Sequence, residues 1–321
     1  MERIIPWLTA PLTEDGRLRM WMPLAAGAAL LAVLVVLLLR FARKGRKSPD
    51  PRTTEPPRDE PSTQQPAPLP VVEIGNLQGC GRRESQQDAF GASLLQNYDA
   101  DGLLTVLCDG MGGLAAGDLI AQETVSALLG AFPWEEDAAL SGTLARLSDQ
   151  VYRRFRGQGG TTLVAALLKG GKLSFWSVGD SDLFLLREGR LYALNQRQEY
   201  KNDLLLRALR GAFPVERAYD DPQAAALSEY IGKQQIRCDC LRAPLPLLPE
   251  DTLLLCSDGV SDTLTLAQIR QAAALDPQAC CEKLEADIEA ADLPNQDNYT
   301  AIVIRYHGKT PEVENNEEDS A

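Results

Sequence analysis

The chain predicts an α+β sandwich rather than a doubly wound parallel sheet, on two observations. Short apolar runs succeed one another and are joined by tight glycine turns, Lys169-Gly170-Gly171 and Glu188-Gly189 among them. Such turns connect antiparallel neighbours, whereas parallel strands need crossovers of a dozen residues or more. The helical patterns also come in pairs, 116–129 with 137–155 and 265–274 with 277–290, instead of alternating singly with strands. With 321 residues, 45% of them hydrophobic, the chain has the material for a sizeable core.

Taken in order, residues 1–20 are a short N-terminal segment. Residues 21–39 (WMPLAAGAALLAVLVVLLL) carry no charge, and as a helix they would extend about 28 Å, one bilayer crossing. An apolar surface all round leaves no face for water. Arg40, Arg43, Lys44, Arg46 and Lys47 crowd one flank, while Arg3, Arg17 and Arg19 on the other are mixed with Glu2, Glu14 and Asp15. The positive-inside bias therefore puts everything after residue 39 in the cytoplasm: a single-pass protein of the cell membrane, touching the lipid bilayer through 21–39. Residues 40–70 read as a linker, first basic and then proline-rich, with eight prolines between Ser48 and Pro70 and almost nothing to bury. Residues 71–307 form the domain. Residues 308–321, with Glu312, Glu314, Glu317, Glu318 and Asp319, read as a disordered acidic tail.

Within the domain, strands are predicted at 71–77, 89–95, 103–108, 162–168, 173–178, 183–187, 190–194, 253–256 and 299–305. Each is a short apolar or alternating run ended by turn residues, too short for a helix. The run 103–108 stops abruptly at Asp109, after which Gly110, Gly112 and Gly113 allow a tight turn and close approach to the main chain. No internal repeat is visible.

Composition excludes several chemistries. A net charge of -13 repels a phosphate backbone, so no nucleic-acid partner is expected. Seven cysteines lack zinc-finger spacing and read as reduced thiols, and none is followed six positions later by the Arg that a cysteine-based phosphatase requires. The lone histidine, His307, reads as a surface residue near the end of the last apolar run, too little for a His-ligated zinc or a serine triad.

What remains is a set of aspartates at strand boundaries: Asp88 in RRESQQDAF, Asp109 in VLCDG, Asp180 in WSVGDS, Asp258 in LLCSDG and Asp297 in NQDNYT. Gathered at one end of a sheet they would repel one another unless cations lay between them. An all-oxygen, carboxylate-rich site suits Mg²⁺ or Mn²⁺, and two such ions can activate water for displacement at phosphorus. Arg83 supplies a fixed cation with a planar fork for a phosphate.

These residues resemble the metal-dependent Ser/Thr protein phosphatases of type 2C, the PPM family, in its bacterial form. The resemblance runs through Arg83 to Asp88, Asp109 to Gly113 (DGxxG), Gly160-Thr161-Thr162 (GTT), Gly179-Asp180-Ser181 (GDS), Ser257-Asp258-Gly259 (SDG) and Asp297-Asn298 with Thr300 (DNxT), in the family's order. It implies an αββα sandwich of two antiparallel sheets flanked by helix pairs, with the metal centre at one end. By position, Asp109, Asp258 and Asp297 would hold the first ion. Asp109 would bridge to the second, which also takes the Gly110 carbonyl and waters oriented by Asp88. Asp180 with Asp258 matches the place of a third, looser ion, and Arg83 would clamp the substrate phosphate. The implied catalytic set is thus Arg83, Asp88 and Asp109. The implied reaction is direct attack of a hydroxide bridging two Mn²⁺ or Mg²⁺ ions on phosphoserine or phosphothreonine in proteins that a Ser/Thr kinase has modified.

The chain departs from the family pattern at four places. Met111 stands where some members have a His, so water at the ions is the expected proton donor. Gln86 replaces an Asn, Gln87 a Glu, and Asp182 the Arg common after GDS. Residues 196–249 correspond to the family's mobile flap, with 226–232 (ALSEYIG) resembling the segment after it, and substrate choice is expected there. Two other readings stay open: a catalytically weak module that binds phosphoproteins or metal at the membrane, which the glutamines and Asp182 motivate, and a structural anchor.

Overall fold

Two antiparallel sheets lie face to face in the computed structural model, which describes residues 71–111, 116–134 and 139–308. The predicted membrane span, the segments on either side of it, the glycines Gly112 and Gly113, and the tail from 309 onward lie outside the described residues. Among the described residues no helix is long and apolar enough to cross a membrane.

The first sheet contains β1 (Val72–Gly79), β6 (Asp182–Arg187), β7 (Arg190–Ala193), β10 (Asp251–Cys256) and β11 (Tyr299–Tyr306), in the order β1-β11-β10-β6-β7. The second contains β2 (Asp88–Ala92), β3 (Leu103–Asp109), β4 (Leu163–Lys169), β5 (Lys172–Val178) and β8 (Asp239–Cys240) in that order, with β9 (Leu245–Pro246) added beside β5. Both glycine turns make the hairpins that the sequence predicts, Lys169 standing opposite Lys172 and Arg187 opposite Arg190. Residues 93–95 leave the predicted second strand, because Leu95–Asn97 forms a single 3₁₀ turn that runs into the short helix Tyr98–Asp101 before β3.

Alternation within the strands separates three layers of core. Along β3, Leu103 and Leu107 face the first sheet and meet Ile302, Ile304, Leu253 and Leu255. Leu104, Val106 and Cys108 face outward onto α1 (Gly117–Gly130) and α2 (Ala139–Phe155) through Ile120, Val125, Leu128 and Leu144. The other sheet's outer face, with Leu254, Cys256 and Val303, packs on α6 (Leu266–Ala273) and α7 (Pro277–Ala291). The layer order is therefore helices, sheet, sheet, helices. Two-faced burial explains why the central strands read as continuous apolar runs.

Besides the short helix Tyr98–Asp101 before β3, three helices were not predicted: α3 (Tyr200–Leu209), α4 (Glu216–Asp220) and the single-turn α5 (Asp258–Ser261). α3 and α4 lie within 196–249, where only Leu204, Ala208 and Ala218 of the two are buried, so little apolar periodicity was there to read. All seven cysteines are free. His307 is a correction: its ring is only 10% exposed and lies between Glu250 at 2.7 Å and Glu73 at 3.4 Å, so it joins β1 to the turn before β10 instead of standing free at the surface.

Candidate metal centre

The register of β2 on β3 sets Asp88 directly opposite Asp109 at the end of the second sheet. Asp88 is buried, and its Oδ2 accepts hydrogen bonds from Thr300 Oγ1 at 2.7 Å and Ser257 Oγ at 2.9 Å, both from the first sheet. Its Oδ1 has no partner. Burial raises the Asp88 carboxyl to about 6; the two hydroxyls oppose that rise, and the charges of Asp258 and Asp297 add to it.

Asp109 is fastened through its backbone. Its N–H donates to Thr162 Oγ1 at 2.9 Å, and its carbonyl accepts from Thr161 Oγ1 at 2.7 Å and Thr162 N–H at 2.8 Å. This leaves its carboxylate to project into a cavity of about 290 Å³ that Asp180, Asp258, Asp297, Gln87 and Gly110 also line. The next position must be glycine: a Cβ on Gly110 would lie 2.6 Å from both the Gln87 carbonyl oxygen and the Gly117 carbonyl carbon. Burial lifts the Asp109 carboxyl far above the usual carboxylate range, and the charges of Asp88, Asp258 and Asp180 lift it further. Asp109 and Asp258 line the same cavity, and each carboxyl is pushed up by burial and by neighbouring carboxylates.

Asp258 opens α5, and its Oδ1 is buried without a partner. Its carboxyl is raised by burial first, then by Asp262 and Asp297. Asp180 follows Gly179, whose φ of 109° permits the sharp exit from β5. Burial, and then Asp258, raise Asp180 to about 7.

Arg83 and Asp297 are placed against each other, Nη2 to Oδ2 at 2.5 Å, with Asp297 Oδ1 accepting the Asn298 N–H at 2.8 Å. The predicted phosphate clamp and a predicted ligand thus occupy one another. Both remain about half exposed, at 45% and 40%, so the pair can exchange with water or a substrate oxygen. Gln86 serves the backbone, donating to the Gly79 carbonyl at 2.9 Å and accepting the Asp88 N–H at 2.9 Å, which joins the end of β1 to the start of β2.

Asn298, Ser257, Thr300 and Thr162 form a supporting shell that the motifs contain but a search for charged groups passes over. Asn298 alone holds the 80–87 loop at three points, through the carbonyls of Cys80 and Ser85 and the N–H of Gln87. Ala226 and Leu227 form one wall of the cavity, a role their side chains do not announce.

The donor set fits divalent cations. All side-chain donors are oxygen, two buried carboxylate oxygens lack partners, and the four aspartates that line one cavity repel one another in a way a cation would relieve. Among the described residues no three His, Cys, Asp or Glu side chains form a finished cage as they stand. Arg83 is paired with Asp297, one of the predicted ligands. A separate cavity of about 370 Å³ has Cys80, Arg82, Glu289, Asp292 and Tyr299 in its lining, with Arg82 paired to Asp292, and holds no comparable set of converging carboxylates.

The family model for Protein phosphatase 2C matches residues 81–296. The serine/threonine protein phosphatase PstP of Mycobacterium tuberculosis is 31% identical over 184 residues, 53% of this chain and 34% of that protein, so the chain spans about a third of that relative's length. The structure of PppA from Pseudomonas aeruginosa, described as a key regulatory component of its type VI secretion system (T6SS), is 28% identical with a TM-score of 0.60, covering 73% of this chain and 97% of that one. The PstP catalytic domain in complex with two manganese ions shares the fold with a TM-score of 0.57 at 24% identity, over 73% of this chain and 98% of that one.

Proposed function

Because the chain belongs to the protein phosphatase 2C family, we propose that it is a metal-dependent protein-serine/threonine phosphatase, anchored in the cell membrane with its catalytic domain in the cytoplasm. The observation that carries the activity is the convergence of Asp109, Asp180, Asp258 and Asp297 on one cavity. So much negative charge is stable at neutral pH only beside cations. Asp109, Asp258 and Asp297 would hold one Mn²⁺ or Mg²⁺; Asp109 and the Gly110 carbonyl a second, with Asp88 orienting its water; Asp180 and Asp258 a third. When bound, the ions would acidify water into a nucleophile and neutralise phosphoryl oxygens.

The chain's own groups do the rest. Arg83 releases Asp297 to take a phosphate oxygen on its fork, which couples substrate arrival to the freeing of a carboxylate. Thr300 and Ser257 keep Asp88 ionised and aimed by donating to Oδ2, so that Oδ1 stays free. Met111 lines the cavity and offers no proton, so the departing serine or threonine oxygen takes its proton from water.

The membrane reading is supported by the uncharged stretch 21–39 and the basic cluster after it. Its partners would be proteins phosphorylated by a Ser/Thr kinase at the inner face. The test is phosphate release from a phosphothreonine peptide by the full chain, titrated with Mn²⁺. Turnover that EDTA abolishes and that Asp109→Asn lowers by two orders of magnitude or more is expected; undiminished turnover by that variant would remove the mechanism. Tight peptide binding with no turnover at any Mn²⁺ concentration would favour the binding-module reading instead.

A further inference from the structure

Asp182, the residue that departs from the family pattern after the Gly-Asp-Ser turn, is not an isolated charge. It is 7% exposed at the start of β6, and it receives a fork from Arg197: Nη2 to Oδ2 at 2.7 Å and Nε to both oxygens at 3.1 Å. The same Nη2 also donates to Ser261 Oγ at 2.7 Å and Nη1 donates to Asp262 Oδ1 at 2.7 Å, which reaches α5 and the residue after it. Glu199 completes its surroundings at 3.7 Å. One guanidinium therefore ties β6, just past Asp180, to the turn of helix that begins with Asp258.

The neighbouring residue extends the same junction. Gln198 exchanges two hydrogen bonds with Gly179, its N–H donating to the Gly179 carbonyl and its Oε1 accepting the Gly179 N–H, each at 2.8 Å. Its carbonyl accepts from Ser228 N–H at 2.8 Å and Ser228 Oγ at 3.0 Å, while Tyr200 N–H donates to the Ala226 carbonyl at 2.8 Å. Three sides of the cavity, the Asp180 turn, the Asp258 helix and the Ala226–Leu227 wall, thus hang from two consecutive residues at the root of the 196–249 segment.

We propose that Arg197 is a positioning residue for the metal centre: through Asp182, Ser261 and Asp262 it locks the root of the 196–249 segment and so holds Asp180, Asp258 and the Ala226–Leu227 wall in one arrangement. Here the carboxylate stands on β6 and the cation on the loop after β7. A fork is needed because the contacts are made from three separate nitrogens of a planar guanidinium, a spread that the single ammonium nitrogen of a lysine does not have. The proposal rests on the metal-centre reading and adds to it a residue that touches neither ion nor substrate.

The test is calorimetric titration of the full chain with Mn²⁺. Asp182→Asn combined with Arg197→Gln removes one charge of each sign, so the net charge beside the site is unchanged and only the fork is lost. We expect Mn²⁺ to bind about tenfold or more weakly, the scale seen when supporting partners of metal ligands are lost. KM for the phosphothreonine peptide should rise as the wall loosens, and trypsin should cut within 196–249 faster. Arg197→Lys keeps the charge and should fall between wild type and the double variant. A folded double variant with wild-type Mn²⁺ affinity, whatever its melting temperature, overturns the proposal. Should that variant fail to fold, unchanged affinity in Arg197→Lys overturns it equally. Failure of the wild-type chain to bind Mn²⁺ would instead sink the metal-centre reading itself.

Discussion

Asp88 shows how one buried carboxylate is kept useful. Its Oδ2 is held by two hydroxyls from the opposite sheet, and its Oδ1 is left over. Thr300→Val removes the shorter of these bonds with little change of shape. Mn²⁺ affinity or turnover is expected to fall by about 10- to 100-fold while the fold persists, measured by titration and circular dichroism. Asp88 and Asp180 also give the metal-free protein a pH dependence. Their folded-state values of about 6 and about 7 lie above the ordinary 3.8, so the folded chain binds protons more tightly than the unfolded one. Their contribution to stability is fully present below about pH 4 and is lost as the pH rises through about 6 to 7. The chelated protein should therefore melt at a lower temperature at about pH 7.5 than at about pH 5, and Mn²⁺ should raise the melting temperature more at the higher pH. A chelated protein that melts higher at the higher pH would contradict the acidic cluster.

At the scale of elements, each ligand candidate stands at the end of a strand or within two residues of one, and these junctions are shaped by close backbone approach. Gly259, inside α5, is an instance: a Cβ there would lie 1.9 Å from the Asn298 carbonyl oxygen. Gly259→Ala must push α5 away from the start of β11, separating Asp258 from Asp297. A loss of about 1–3 kcal/mol is expected, read from a denaturant midpoint, together with loss of Mn²⁺-dependent turnover. Most of these elements were legible in the sequence, since β3, β4, β10 and β11 are buried on both faces and read as unbroken apolar runs. The short β8 and β9 were not, with two residues each and no period to detect. The helices of 196–249 escaped for a related reason, as few of their residues are buried.

For the whole molecule, the two sheets act as a clamp. Asp88 and Asp109 come from one and Asp258 and Asp297 border strands of the other, so the cavity exists only when the sheets are stacked. In cell fractions the full chain should sediment with membranes, and deletion of 21–39 should release it while leaving peptide hydrolysis intact; a soluble full chain would remove the anchor. What the sequence determined by itself was local: the apolar runs, the glycine turns, and the aspartates with their order along the chain. Tertiary structure alone decided which charges meet. Arg83 pairs with Asp297, 214 residues away, and Asp182 with Arg197, while Asp88 finds its hydroxyls 169 and 212 residues further on. Periodicity records only which face of an element is buried, whereas such meetings depend on strand register and on how two sheets stack, and both are set by packing across the whole core.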